Sequence, residues 1–225
     1  MWDKVFNAKN PFWTSMGTVF DLFVMNLIWL ISCIPIVTIG PATCALFYAL
    51  IERVQEHGSY ITYDYRRSFK RNLKQGMQLG IGFTLVIVFL LLDMYLCYHA
   101  GRGIYSFFLF FFGFLLFVVA ITALYAFPIL AKFERSNKEI LIWAFTLSIK
   151  NFPLTITMVI AVTILMWLLH IIPALIFIAF GMSAQFIATI MATIFRPFYP
   201  KVEEEDQFVP GDMDDLDLDD IKYLL

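Results

Sequence analysis

The sequence predicts an all-α protein, a polytopic transmembrane helical bundle of about six spans. Two observations predict it. Of 225 residues, 60% are hydrophobic and only 15% charged, with a mean hydropathy of +0.77. Soluble domains carry about 25% charged residues. The apolar residues are also gathered into runs long enough for a bilayer core of about 30 Å, with basic residues collected between the runs. Twenty-five Phe and ten Tyr suit lipid-facing and interfacial surfaces.

The start of the chain, "MWDKVFNAKNPFWTSMG", does not read as a secretory signal. The apolar stretch behind it runs far past a short h-region, and no small-residue cleavage site follows. The first hydrophobic segment is therefore expected to be retained. Between Asp21 and Glu52 lie thirty residues without a charge, interrupted by Pro35, Gly40 and Pro41. As one helix they would reach about 45 Å, too long for a single crossing. Two crossings put the "PIVTIG" break at the outer face, with the second helix short. A re-entrant hairpin leaves the break within the membrane. Backbone groups freed at such a break must find partners in protein or water. The helix starting after Pro41 would offer unpaired N–H groups to an anion, as half-helices do in transporters.

The remaining elements follow from the same ruler. Residues 52–75 are polar and basic, and residues 76–98 make a span with one charge, Asp93. "HAGRG" at 99–103 is a tight loop, and 104–131 is a further long span. Residues 132–152 mix charge with a helical apolar pattern. Residues 153–195 carry no Asp, Glu, Lys or Arg over 43 positions, enough for two helices turning near "HIIP".

Basic residues set the orientation. Arg53, Arg66, Arg67, Lys70, Arg71 and Lys74 form one group; Lys132, Arg135, Lys138 and Lys150 a second; Arg196 and Lys201 a third. Two spans separate each group from the next, so all share one side, which the positive-inside rule makes cytoplasmic. An even number of passes in the opening run brings Lys4 and Lys9 to that side too. Both termini are then cytoplasmic, and fifteen basic residues lie inside against Arg102 outside. The domain organisation is a transmembrane helical domain over 1–200 with cytoplasmic basic loops, then an acidic tail over 201–225. The tail holds ten acidic and two basic residues. Such a run is disordered when free, yet its interspersed Phe208, Leu216, Leu218 and Ile221 suit docking to a cytoplasmic protein.

An internal parallel repeat is also readable. "TCALFYALIERVQ" (43–55) matches "TALYAFPILAKFE" (122–134), and Tyr65, Ser68 and Lys70 recur as Phe145, Ser148 and Lys150.

Among ionisable residues in or near spans, Asp93, His99 and His170 fall near helix ends and reach headgroups. Asp21 is the stronger candidate for an intramembrane polar site, about 15 Å in from Pro11, with Asn26 at another angle of the same helix. Arg66, Arg67, Lys70, Arg71 and Lys74, interleaved with Tyr60, Tyr63, Tyr65 and Phe69, are candidates for contact with anionic lipid headgroups or a protein partner. Membrane context excludes nucleic acid as the partner of this patch. Gly76 and Gly80, and Ala184, Ala188 and Ala192, recur at a spacing that lets helices pack closely. Cys33, Cys44 and Cys97 lack metal-ligand spacing and read as packing residues. No catalytic residues, no cofactor-binding motif and no metal site are predicted; phosphate-binding loop, nucleophile elbow and HExxH are all missing from the sequence.

"FNAKNPFW" (6–13), "DLFVMNLIWLISCIPIVTIGPATCALFYAL" (21–50) and "RSFKRNLKQ" (67–75) resemble the YesL-like integral membrane proteins of bacteria, a family of unknown function. The resemblance runs from about residue 6 to 200. It implies the bacterial cytoplasmic membrane and a link to carbohydrate uptake, with ABC importer subunits as partners. The expected function is a non-enzymatic accessory membrane protein. A small stand-alone permease is the alternative, and a membrane-embedded enzyme acting on lipid or glycan a more distant one.

Overall fold

In the computed structural model, residues 11–55, 61–101, 103–172 and 179–198 are described. The acidic tail and residues 1–10 lie outside them. Two compact units are distinguished, Met1–Ile194 and Phe195–Leu225, and the second is described only at its start, where Arg196–Phe198 form a 3-10 turn.

Among the described residues of the first unit all regular secondary structure is helical. Its elements are α1 (Pro11–Ser32), α2 (Ile39–Val54), α3 (Ile61–Arg71), α4 (Leu73–Ala100), α5 (Ile104–Lys132), α6 (Asn137–Lys150), α7 (Phe152–Ile171) and α8, which begins at Ala179 and runs to Phe195. Among the described residues four helical stretches are long and apolar enough to cross a membrane: 36–54, α4, α5 and α7. α1 and α8 are the other apolar helices, so six apolar helices stand where about six were expected. The loop expected at 99–103 starts later, because α4 continues through Ala100; Gly101 and Gly103 stand at φ of 109° and 96°, a region that side-chain-bearing residues avoid. The turn at "HIIP" falls partly on residues outside the description.

The two longest helices, α4 and α5, run antiparallel side by side. The Phe83 and Phe127 rings meet at a tilt with centroids 5.9 Å apart, and Gly113 faces the Met94 side chain. The start of α4 and the end of α5 define one face of the bundle. There Gln75 donates to the Arg135 carbonyl at 2.6 Å, and Arg71 pairs with Glu134. α6 starts on that face, capped by Ser136, whose hydroxyl accepts from the Glu139 N–H.

Both ends of α2 lie toward this same face. At its start, Gly40 meets α4 backbone to backbone: a Cβ on Gly40 would sit 2.1 Å from the Gly76 oxygen and 3.0 Å from the Gly80 Cα. Gly76 and Gly80 are three and seven residues into α4, so that contact lies within about 10 Å of the helix start. At its other end Glu52 pairs with Lys132, the last residue of α5. α2 therefore stays in one half of the bundle, although its length and apolarity suffice for a span. Of the two paths expected for the opening run, this placement fits the re-entrant hairpin.

α1 lies antiparallel against α2. The Trp29 Nε1–H donates to the Thr43 hydroxyl at 3.3 Å, and Asp21 faces Arg53. The break between them closes on itself. The Thr38 hydroxyl lies 2.6 Å from the Ser32 carbonyl oxygen and 2.7 Å from that of Pro35, and the Thr38 N–H donates to Pro35 at 3.0 Å. These contacts supply partners that lipid cannot. The start of α2 is covered by α4, with Gly40, Pro41 and Ala42 buried, so the open half-helix end expected after Pro41 is not formed.

The small-residue spacing is used within the chain. Besides Gly40–Gly76–Gly80, a Cβ on Gly181 would lie 3.0 Å from the Leu22 carbonyl oxygen, and Ala184, Ala188 and Ala192 are buried. The repeat is visible as a shared burial pattern. Leu46, Phe47, Ala49, Leu50 and Ile51 of α2 are buried, and so are Tyr125, Ala126, Pro128, Ile129 and Leu130, their counterparts in α5. Asp64 and Ser68 of α3 match Ala144 and Ser148 of α6 in the same way, while Tyr65 is buried and Phe145 exposed. Cys33, Cys44 and Cys97 are free thiols.

Candidate functional site

The polar groups of the bundle concentrate where α2 and α5 end. Lys132 is held by two groups of α2 and one from its C-cap: the Glu52 carboxylate at 2.6 Å, the Tyr48 ring, whose centroid is 5.1 Å away, and the Gln55 side-chain oxygen at 3.2 Å. The pair is almost fully enclosed, with Lys132 6% and Glu52 15% exposed at the side chain. The α2 helix brings Arg53 round to α1, where it faces Asp21 at 3.4 Å.

Asp21, about 15 Å along the helix from Pro11, joins the polar layer beside Glu52 and Lys132, half exposed and paired with a cation. Asn26 goes elsewhere. It is fully buried at the α1–α8 crossing, where a Cβ on Gly181 would lie 3.5 Å from its own Cβ. The two residues do not form one site.

α3 is amphipathic and shows why the basic residues face outward. Asp64, Tyr65 and Ser68 are buried, whereas Arg66, Arg67, Lys70 and Arg71 are exposed, with Lys74 exposed just beyond on α4. Five cations within nine residues thus share an outer surface anchored by a buried inner stripe. Arg71 is tied to Glu134, and the polar cleft beside it, about 420 Å³, holds Asn72, Gln75, Arg135, Ser136 and Glu139. Arg135 stacks 4.2 Å over Trp143 and lies 3.7 Å from Glu139. Asp93 is half-buried, and His99 and His170 are exposed, His99 with its Nδ1 3.0 Å from the Tyr95 carbonyl oxygen. Among the described residues no three His, Cys, Asp or Glu side chains stand close enough to hold a metal ion.

Sequence reasoning missed the Glu52–Lys132 pair. Its partners are eighty positions apart, and each was read separately, Lys132 only as part of a cytoplasmic basic group. The repeat held the signal, because it aligns the polar ends of the two helices.

Fold and surface together define an all-α integral membrane protein whose polar and cationic groups lie at one end of its longest helices. Over residues 22–94 the chain matches the family described as "Protein of unknown function, DUF624". That stretch covers the second half of α1, all of α2 and α3, and most of α4, roughly a third of the chain. YesL-like proteins fall in this family, and the match bears out the resemblance read from the sequence. No curated protein and no solved structure matches the chain.

Proposed function

We propose that this chain is a non-enzymatic accessory protein of the bacterial cytoplasmic membrane that assists carbohydrate uptake through an ABC importer, with both termini in the cytoplasm. The observation that carries the accessory reading is the outer surface of α3, which is cationic, exposed and fixed to the bundle by a buried inner stripe. Such a surface suits anionic lipid headgroups and a docked subunit. The carbohydrate link comes from the family resemblance alone. The acidic tail, whose charge opposes that of the basic loops, is taken as a further contact for a cytoplasmic protein.

Affinity purification in mild detergent followed by mass spectrometry tests this reading. Importer subunits co-purify if it holds. A lone chain that transports a solute when reconstituted in liposomes supports the permease instead, for which Asp21 beside the broken helix is the motivating feature. The Asp21–Arg53 pair favours a structural use of that carboxylate.

A further inference from the structure

A second recess lies where the end of α1 meets α3. It measures about 340 Å³ and is lined by Ile28 and Ser32 of α1 and by Tyr65, Arg66, Phe69 and Lys70 of α3. Arg66 and Lys70 are one helical turn apart and so project side by side. Neither has a carboxylate within 4.0 Å among the described residues, whereas Arg53, Arg71, Lys132 and Arg135 each do. Tyr65 is 2% exposed, and its hydroxyl lies beside the Ser32 side chain without closing a hydrogen bond of good geometry. Burial pushes this phenol up to about 12, with the neighbouring Ser32 acting in the opposite sense, so it remains an O–H donor at any physiological pH. Just past the recess, Ile31, Ile34 and Ile36 are 65%, 77% and 72% exposed.

Two unneutralised cations, two hydroxyls and an adjoining apolar surface match one kind of ligand. We propose that the recess between α1 and α3 binds the phosphodiester headgroup of an anionic phospholipid. Arg66 and Lys70 take the phosphate oxygens. The Ser32 and Tyr65 hydroxyls complete the polar lining, and the acyl chains lie over Ile28, Ile31 and Ile34. Free phosphate shares the headgroup chemistry but makes no use of the isoleucines, which is why the lipid is the assigned source. The inference rests on the reading of α3 as a helix of the headgroup zone.

The test uses the full chain, delipidated in detergent and supplied with phosphatidylglycerol or phosphatidylcholine, with retained lipid measured by native mass spectrometry. The double variant Arg66→Gln/Lys70→Gln is compared with Arg67→Gln/Lys74→Gln, which removes the same charge outside the recess. The first should retain about tenfold less phosphatidylglycerol than the wild type, the second within about twofold of it. Thermal unfolding of both variants shows that each is folded. Ser32→Ala adds a milder loss if the hydroxyls take part. Equal losses in the two doubles would overturn the recess while leaving α3 in the headgroup zone. No loss in either, or equal retention of phosphatidylcholine by the wild type, would overturn both. Displacement of the lipid by millimolar inorganic phosphate would show that the apolar surface contributes nothing, and would overturn the assignment to lipid.

Discussion

Glu52 and Lys132, eighty positions apart, meet at 2.6 Å inside the bundle and fasten the end of α2 to the end of α5. Enclosed ion pairs repay their desolvation only while both partners remain. Lys132→Met strands a buried carboxylate and should cost about 3–5 kcal/mol. Arg71→Gln breaks the exposed pair with Glu134 and should cost less than about 1 kcal/mol. Thermal unfolding in detergent compares the two. A smaller loss for Lys132→Met than for Arg71→Gln would show that the buried pair is not a fastening.

The glycine contact between α2 and α4 gives a prediction of sign. At Gly40 an added methyl meets the Gly76 carbonyl at 2.1 Å, and both neighbours are backbone. Gly40→Ala should destabilise by about 1–3 kcal/mol through overpacking. At Gly82, two residues past Gly80, nothing lies within 4 Å of a new Cβ. There Ala should be neutral or stabilising by up to about 1 kcal/mol, from helix propensity. The same unfolding assay reads both, and equal effects would contradict the close approach.

Tyr125 and Thr155 join α5 to α7 through a buried hydrogen bond of 2.7 Å between their hydroxyls. Thr155 also reaches the Ser148 carbonyl oxygen at 2.8 Å and that of Asn151 at 3.1 Å. Tyr125→Phe removes one group cleanly and should cost about 1 kcal/mol. Thr155→Val leaves the phenol without its partner as well, and should cost about 1–3 kcal/mol. A reversed order would mean that the phenol is satisfied elsewhere.

The re-entrant path of α2 is tested by labelling. Val37 lies in the break, beside the start of α4, and Gly101 at the far end of α4. In a variant without native cysteines, Gly101→Cys should react with a membrane-impermeant maleimide added to intact cells. Val37→Cys should not. Labelling of both from outside would restore two full crossings.

Helix positions were legible because uncharged runs have a length that lipid dictates. The turn at Gly101 and Gly103 and the basic ends of the spans were read from glycine and charge, and α6 from its apolar helical pattern. The path of α2 was not. A full crossing and a re-entrant hairpin return the chain to the same side, so the basic residues score them alike. The partner of Asp21 was hidden for a related reason: counting residues from Pro11 measures distance along α1, not distance from Arg53. The partner of Glu52 was hidden because it is set by tertiary packing, and no local rule links residues eighty apart. The recess at Arg66 and Lys70 was half legible. The cations stood out, but Ser32 and Ile28 come from another helix.

Where Gly40 meets Gly76 and Gly80 the helices touch backbone to backbone, and the one side chain against Gly76 is the closed ring of Pro41. Sliding α2 along α4 would drive Pro41 or Ala42 into a space that holds no extra methyl, so shear between these helices is blocked. α2 is thus held at both ends by contacts of different kinds: a steric one at Gly40, which salt and pH do not touch, and the ion pair of Glu52 with Lys132.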